Sequence, residues 1–179
     1  MREIKRKILS DKSEIFIQGN TSVLVNYSPD KRNKYLYTMG SLSSGSEVSR
    51  KSNNNRRALE INYLSLRTIE DNILLENPIN ISAKVLTSDG GTRTCALNGV
   101  FDLLSHTKAY FIAFGLVKDN IVIDMNYEQD SNSEVDVPFG IRPDTEEYIY
   151  LQLDGEISPL KLIEGLERSE EEIIKESAF

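Results

Sequence analysis

Two stretches of this 179-residue chain hold residue types and spacings that could do chemistry. The first is Asp89-Gly90-Gly91-Thr92-Arg93-Thr94. Two glycines let a backbone approach a ligand closely. A helix starting just after them leaves its first N–H groups and a positive dipole end available to an anion. Thr92 adds a hydroxyl, and Arg93 a forked cation suited to phosphate oxygens. This is neither a P-loop nor a dinucleotide fingerprint, because G-x-x-x-x-G-K-[ST] and G-x-G-x-x-G are both absent. On these grounds alone the corner serves either as an anion site or as a plain tight turn with an exposed Arg. The second stretch runs from Asp124 to Asp136 and sets five acids in 13 residues. Converging carboxylates bind Mg²⁺ or share a proton. Taken alone, such a run reads as a solvated acidic loop.

The elements around these stretches follow from patterning. Glu14 to Ile17 and Ser22 to Tyr27 are rich in β-branched and aromatic residues, with Gly19-Asn20 between them as a hairpin turn, so both read as strands. Tyr35 to Met39 is a possible third. Residues 40–55, rich in Ser, Gly and Asn, read as a mobile basic loop. Leu59, Tyr63, Leu66, Ile69, Ile73 and Leu74 recur at helical spacing and predict a helix over 56–75. Arg56 and Arg57 fall at its N-terminus, the wrong end for cations on dipole grounds, so a nearby anion would account for them. A strand is expected from Ile79 to Val85, followed by the glycine corner and a helix carrying Cys95, Ala96, Gly99, Val100, Leu103 and Leu104. Strands are expected at 110–117, 121–124, 137–141 and 148–153, with 130–136 as a polar connection. Ser158-Pro159 then opens a last helix, Ser as N-cap and Pro in the first turn. Residues 170–179 form its acidic end. The order gives one α+β domain over 1–179, with mixed sheets packed against about three main helices.

Charge and composition narrow the function classes. Residues 1–60 hold 12 Lys and Arg against 6 Asp and Glu, whereas residues 61–179 hold 9 against 22. A basic face on an acidic body follows, suited to a polyanion at one side only. The single Cys95 excludes an intrachain disulfide, and with the single His106 a Cys/His zinc site is excluded as well. Cys95 is expected in the core and His106 at the surface or a helix end. No apolar run approaches membrane-span length, and Met1 opens onto Arg2-Glu3 rather than a signal-peptide core. The expected setting is soluble, reducing and cytoplasmic, with no membrane partner.

Three segments together carry a family resemblance. Val85-Leu86-Thr87-Ser88-Asp89-Gly90-Gly91-Thr92-Arg93-Thr94 closely resembles a motif of the RNase PH family of phosphate-dependent 3′ exoribonucleases. Ile121 to Asp130, followed by Glu134-Val135-Asp136-Val137-Pro138, is similar to its second hallmark, and Leu151-Gln152-Leu153-Asp154-Gly155 also matches. The likeness runs from about Ser13 to Lys175 and is greatest to the catalytic ring subunit of the archaeal exosome. The chain departs from the family at Ser131-Asn132-Ser133, which lacks an aromatic-glycine pair, and at Tyr27-Ser28-Pro29, where glycine is usual at the middle position.

The resemblance implies RNA degradation from the 3′ end by phosphorolysis, with inorganic phosphate as co-substrate, nucleoside diphosphates released, and 3′ tailing in reverse. It implies that Gly90, Gly91, Thr92, Arg93 and Thr94 cradle the phosphate with Arg57. It assigns Asp130 as general-acid candidate and Asp136 as its partner, the two also holding Mg²⁺ or Mn²⁺. Arg56, Lys31, Arg32, Arg50 and Lys51 would follow the backbone of single-stranded RNA, blind to sequence. The implied partners are a homologous inactive ring subunit in a hetero-hexamer and RNA-binding cap subunits. Two alternatives stay within the family: an inactive ring scaffold or RNA conduit, and a homohexameric tRNA-trimming enzyme.

Overall fold

A computed structural model describes residues 1–29, 36–41, 56–74, 77–104 and 108–177. Among these residues, no helix is long and apolar enough to cross a membrane. The chain begins with an antiparallel meander, β1 (Ile4–Ser10), β2 (Ser13–Gln18) and β3 (Thr21–Pro29). The β2–β3 turn is built on Gly19, whose φ of +59° lies in the left-handed region that favours glycine. Along β2 and β3, buried and partly exposed residues alternate, so one face of the sheet carries the core. β4 (Leu36–Ser41) then runs parallel to β5 (Ile79–Thr87), and α1 (Arg56–Asn72) lies between them in the chain, as a parallel crossover requires. The first sheet has the order β1-β2-β3-β5-β4.

The predicted helix over 56–75 ends at Asn72. Arg142 Nη2 donates to the Asn72 carbonyl at 2.9 Å, a cation at the helix C-terminus where the dipole favours one. Sequence patterning missed β1. Its Ile-Lys-Arg-Lys-Ile-Leu-Ser run is exposed almost throughout and pairs only with β2, so it shows the charges of an edge strand and no buried face.

The second sheet is built from β6 (Tyr110–Val117), β7 (Asn120–Ile123), β8 (Val135–Arg142), β9 (Glu147–Leu151) and the two-residue β10 (Asp154–Gly155). Its order is β10-β8-β6-β7, with β9 also on β8. The continuous apolar run of β6 is buried from Phe111 to Leu116, as suits a strand with neighbours on both edges. α4 (Pro159–Ser177) covers this sheet with Ile173, and its start is capped by Ser158, whose Oγ accepts from the Lys161 N–H at 3.3 Å.

Between the sheets lies α2 (Thr92–Leu104), packed on β2, β3 and β5 at one side and on β6 and β8 at the other. Every residue from Thr94 to Phe101 is buried. A β-carbon at Gly99 would lie 2.8 Å from Val25 Cγ2 and 2.9 Å from Phe16 Cβ, so this helix rests directly on the first sheet. Two apolar cores result. One joins Phe16, Val23, Val25, Ile69, Leu97 and Phe111; the other joins Ile112, Phe114, Val137, Phe139 and Ile173. Over the described residues the fold is α+β, with two sheets and four helices. The fourth, α3 (Tyr127–Ser131), occupies part of the acidic run. Its capping box is Asn126 with Gln129: Asn126 Oδ1 accepts from the Gln129 N–H at 2.9 Å, and Gln129 Oε1 accepts from the Asn126 N–H at 3.0 Å.

Candidate active site

The glycine corner is anchored before it is exposed. Thr21 Oγ1 accepts from the Asp89 N–H at 2.9 Å and donates to the Gly90 carbonyl at 2.7 Å. Asp89 accepts from the Tyr127 N–H at 3.0 Å and from Asn20 Nδ2 at 3.0 Å. These bonds, the backbone one foremost, hold its carboxyl below the usual carboxylate range. Gly90 has φ +76° and Gly91 φ +58°. A β-carbon on Gly90 would sit 2.3 Å from the Met125 carbonyl oxygen and 2.7 Å from the Asn126 carbonyl carbon. The corner is thus pressed onto the chain segment that starts α3, which brings the two chemistry-bearing stretches side by side.

At the front of this corner opens a cleft of about 520 Å³. Its walls include Gly91, Thr92, Arg93 and Thr94 from the start of α2, Asp130 at the end of α3, Ser133 and Asp136 at the start of β8, and Asp154 and Gly155 from β10. Asp130 is exposed and Asp136 half-buried. Asp136 and Asp154 are directly opposed in the β8–β10 pair. Like charges across a strand pair repel, and such a placement suits a nearby cation.

α2 has no acid in its first turn, so nothing there competes with an anion for its leading N–H groups. Thr92 Oγ1 shares a 2.7 Å hydrogen bond with Ser88 Oγ. Thr94, though on the cleft wall, donates its hydroxyl to the Gly91 carbonyl at 2.9 Å and so braces the turn. The Arg93 guanidinium donates through Nη1 to Gln152 Oε1. That oxygen also accepts from the buried Tyr150 hydroxyl at 3.0 Å. Burial pushes the Tyr150 phenol above its ordinary value, against the pull of Arg93. Gln152 therefore fixes where Arg93 points.

Of the residues predicted from sequence, Gly91, Thr92, Arg93, Thr94, Asp130 and Asp136 converge on this cleft. Gly90 lies buried one step behind it. The backbone of Arg56 and Arg57 opens α1, as predicted, but their side chains lie outside the described residues, as do Lys31, Arg32, Arg50, Lys51 and His106. Cys95 is buried, and desolvation pushes its thiol up to about 12, consistent with a core residue.

Sequence reasoning gave no role to Arg2, Gln18 or Asn98, and named Asp124 only as the start of the acidic run. They form a connected network behind the corner, in which Asp124 accepts from Arg2 Nη2 at 2.8 Å and from Gln18 Nε2 at 2.9 Å, and Gln18 Oε1 accepts from Asn98 Nδ2 at 3.1 Å. A signal was present. Gln18 sits at an inward position of an alternating strand, and Asp124 between the apolar Ile123 and Met125, so both were candidates for a buried polar network.

Comparison with known proteins bears on this arrangement. Residues 111–172 match the family model described as the 3′ exoribonuclease family, domain 2. They span the second sheet from β6 onward and most of α4, including both Asp130 and Asp136. This part of the chain is similar to that family domain. The chain is 33% identical over 144 residues to the exosome complex component Rrp41 of Methanosarcina mazei, an alignment that covers 75% of this chain and 29% of that protein. Against Rrp41 of Nitrosopumilus maritimus it is 32% identical over 114 residues, covering 58% of this chain and 47% of that protein. With the RRP41 homolog of Arabidopsis thaliana it shares 29% identity over 179 residues, covering 87% and 73%. The chain spans less than half the length of these two archaeal relatives. The crystal structure of rice Rrp46 superposes with a TM-score of 0.71 over 96% of this chain and 89% of the other, at 16% identity, and so shares the fold. The RNase PH-like α+β architecture expected from the sequence is the one observed.

Proposed function

We propose that this chain is the catalytic subunit of an exosome-like ring that shortens RNA from the 3′ end by phosphorolysis. The observation that carries the reading is the single cleft shared by the start of α2 and by Asp130 and Asp136. In the reaction, an oxygen of inorganic phosphate attacks the phosphorus of the terminal phosphodiester. The bond from that phosphorus to the 3′ oxygen of the preceding nucleotide breaks, and a nucleoside diphosphate leaves. Nucleophile and target are both anions, so catalysis consists of holding them in line and stabilising charge.

The N–H groups leading α2, with Gly91, Thr92 and Arg93, supply donors at one side of the cleft, and Arg57, at the start of α1, is assigned to the same phosphate. Gly90 shapes the turn, and Thr94 holds it closed. At the other side Asp130 gives a proton to the departing 3′ oxygen, and Asp136 tunes it. Arg56, Lys31, Arg32, Arg50 and Lys51 are assigned to the RNA backbone.

The donor set also fits Mg²⁺ or Mn²⁺. The described residues contain no cluster of three His, Cys, Asp or Glu side chains placed to hold a metal. Mg²⁺, however, is commonly held by one or two carboxylates, waters and substrate phosphates. Asp130 and Asp136 would hold it, and when bound the ion would neutralise charge on the phosphates. A homologous ring subunit, RNA-binding cap subunits and a cytoplasmic setting complete the proposal.

The test is to mix the chain, alone and with a homologous ring subunit, with an oligoadenylate, Mg²⁺ and phosphate. ADP release that requires phosphate, and is abolished by Asp130→Ala in an intact ring, supports the reading. Monophosphate release without phosphate refutes the mechanism. An assembled ring with no turnover identifies a scaffold, and a homohexameric mass for the isolated chain identifies the homomeric alternative.

A further inference from the structure

Arg2 lies directly behind the anion-facing corner. Its Nη1 donates to the Asp89 carbonyl at 2.5 Å, and its Nη2 donates to Asp124 Oδ1 at 2.8 Å and to the Gly90 carbonyl at 3.4 Å. Its backbone N–H donates to the second oxygen of the same carboxylate, Asp124 Oδ2, at 2.6 Å. A β-carbon on Gly91 would lie 2.9 Å from Arg2 Nη2 and 3.9 Å from Asp124 Oδ1, so the ion pair sits immediately under the cradle. The Asp124 side chain is 3% exposed and that of Arg2 18%.

The acid is held rigidly. Asp124 has φ +53°, and its N–H donates to the Ala113 carbonyl of β6 at 2.7 Å. Gln18 bridges it to Asn98, which is fixed to both backbone groups of Phe111 at 2.7 and 2.8 Å. Strand β2, helix α2 and strand β6 thereby set the position of one carboxylate, and that carboxylate sets Arg2.

Two physical consequences follow. Carbonyl oxygens in a tight corner repel an anion if they face it. Here the Asp89 carbonyl is turned onto Arg2 and the Gly90 carbonyl onto Thr21 Oγ1 and, at 3.4 Å, Arg2, which takes both acceptors away from the donors at the start of α2. Asp124 is also a wall residue of the cleft. Behind a water-poor wall an uncompensated carboxylate would oppose phosphate strongly, and the guanidinium offsets it.

We propose that Arg2 and Asp124 are positioning residues of the phosphate seat. Arg2 keeps the corner's acceptors facing backward and cancels the charge of Asp124, while Asp124, fixed by the core, keeps Arg2 in place. The proposal rests on the phosphorolytic reading for its substrate, but an anion seat can be measured without turnover.

The experiment uses the full chain in its ring, as parent, Arg2→Met, Arg2→Lys and the double variant Arg2→Met/Asp124→Asn. Two quantities are followed: the rise in melting temperature produced by inorganic phosphate, and the KM values for phosphate and for oligoadenylate. Arg2→Met should raise the phosphate KM about tenfold or more, a size usual when a group that orients a binding group is lost. It should also remove most of the phosphate-dependent thermal shift, with the oligoadenylate KM within about twofold of the parent. Arg2→Lys keeps the charge without the fork and should fall between the two; it also serves if Arg2→Met does not fold. The double variant should recover part of the phosphate affinity, because it removes the uncompensated acid. A merely structural role for Arg2 predicts no such recovery.

An unchanged phosphate shift and KM in a folded Arg2 variant overturns the proposal. So does an equal rise of both KM values, or a double variant weaker for phosphate than Arg2→Met. If the parent shows the phosphate shift but no turnover, the phosphorolytic reading fails and the anion seat stands. If the parent shows neither, both fall.

Discussion

Gly90→Ala tests the central contact of the site, the seating of the glycine corner on the segment that opens α3. Two costs are separable. The residue has φ +76°, and holding alanine in left-handed backbone costs roughly 1–2 kcal/mol. The new methyl would also meet the Met125 carbonyl oxygen at 2.3 Å and the Asn126 carbonyl carbon at 2.7 Å. Both are backbone atoms, unable to rotate aside, so overpacking adds about 1–3 kcal/mol. The sum is about 2–5 kcal/mol, a fall in melting temperature of roughly 5–15 °C for a chain of this size. Gly91→Ala is the matched control. It has a similar φ of +58°, but its nearest neighbour at 2.9 Å is a side-chain end, the Arg2 guanidinium, rather than backbone. It should therefore cost less than Gly90→Ala: about 1–2 kcal/mol from the backbone, with a smaller addition for the few tenths of an ångström by which the Arg2 clasp must give. Urea unfolding of the three proteins, with equal slopes, measures the difference. If Gly90→Ala is as stable as Gly91→Ala, the corner is not pressed against residues 125–126 and the geometry of the site is wrong.

Two further outcomes are expected. Glu14 is buried at the sheet–helix boundary beside Asp102, and desolvation foremost, then the neighbouring acid, raises its carboxyl to about 7. Its folded pKa exceeds the unfolded one, so its contribution to stability is fully present below about pH 4.5 and is lost as pH rises through about 7. Glu14→Gln should match the parent at pH 4 and exceed it at pH 8 by on the order of 2–3 kcal/mol, read from unfolding curves at both pH values; equal curves at pH 8 would contradict the assignment. Gln152→Leu removes the acceptor shared by Arg93 and Tyr150, leaving a buried hydroxyl unpaired at a cost of about 1–3 kcal/mol and freeing Arg93 to wander. Urea unfolding should show that loss and turnover assays a raised phosphate KM. An unchanged KM would mean that Arg93 is aimed by something else.

Much of the scaffold was legible because local pattern and final burial agree. Glu14 to Ile17 and Ser22 to Tyr27 are rich in β-branched and aromatic residues and form strands with alternating burial, the Gly19 turn is where a left-handed residue is needed, and Ser158-Pro159 starts α4 as a cap should. The failures have physical causes. An edge strand such as β1, in which only Ile4 meets the core, carries no period-2 signal. Helix α3 hides in the acidic run because its signature is two polar side chains, Asn126 and Gln129, exchanging bonds with the backbone rather than an apolar stripe. At the site, the glycine corner and the aspartates could be read because their chemistry is written in adjacent residues. The clasp of Arg2 on Asp124 could not, because its partners are separated by 122 positions and no local spacing encodes which acid a distant arginine will meet.

The placement of α2 between the sheets has a consequence for how this cleft can fail. Its donors are mounted on the middle layer, and its acids on the sheet at one side. Side chains pin that seam: Asn98 of α2 is fixed to the Phe111 backbone of β6, and Arg93 reaches Gln152 just beyond β9. The gap between donors and acids is the tolerance of that pinned joint. Loosening of the pins would misalign the groups assigned to the reaction while all of them are still present, so fitness for it is a property of the masonry as much as of the tools it holds.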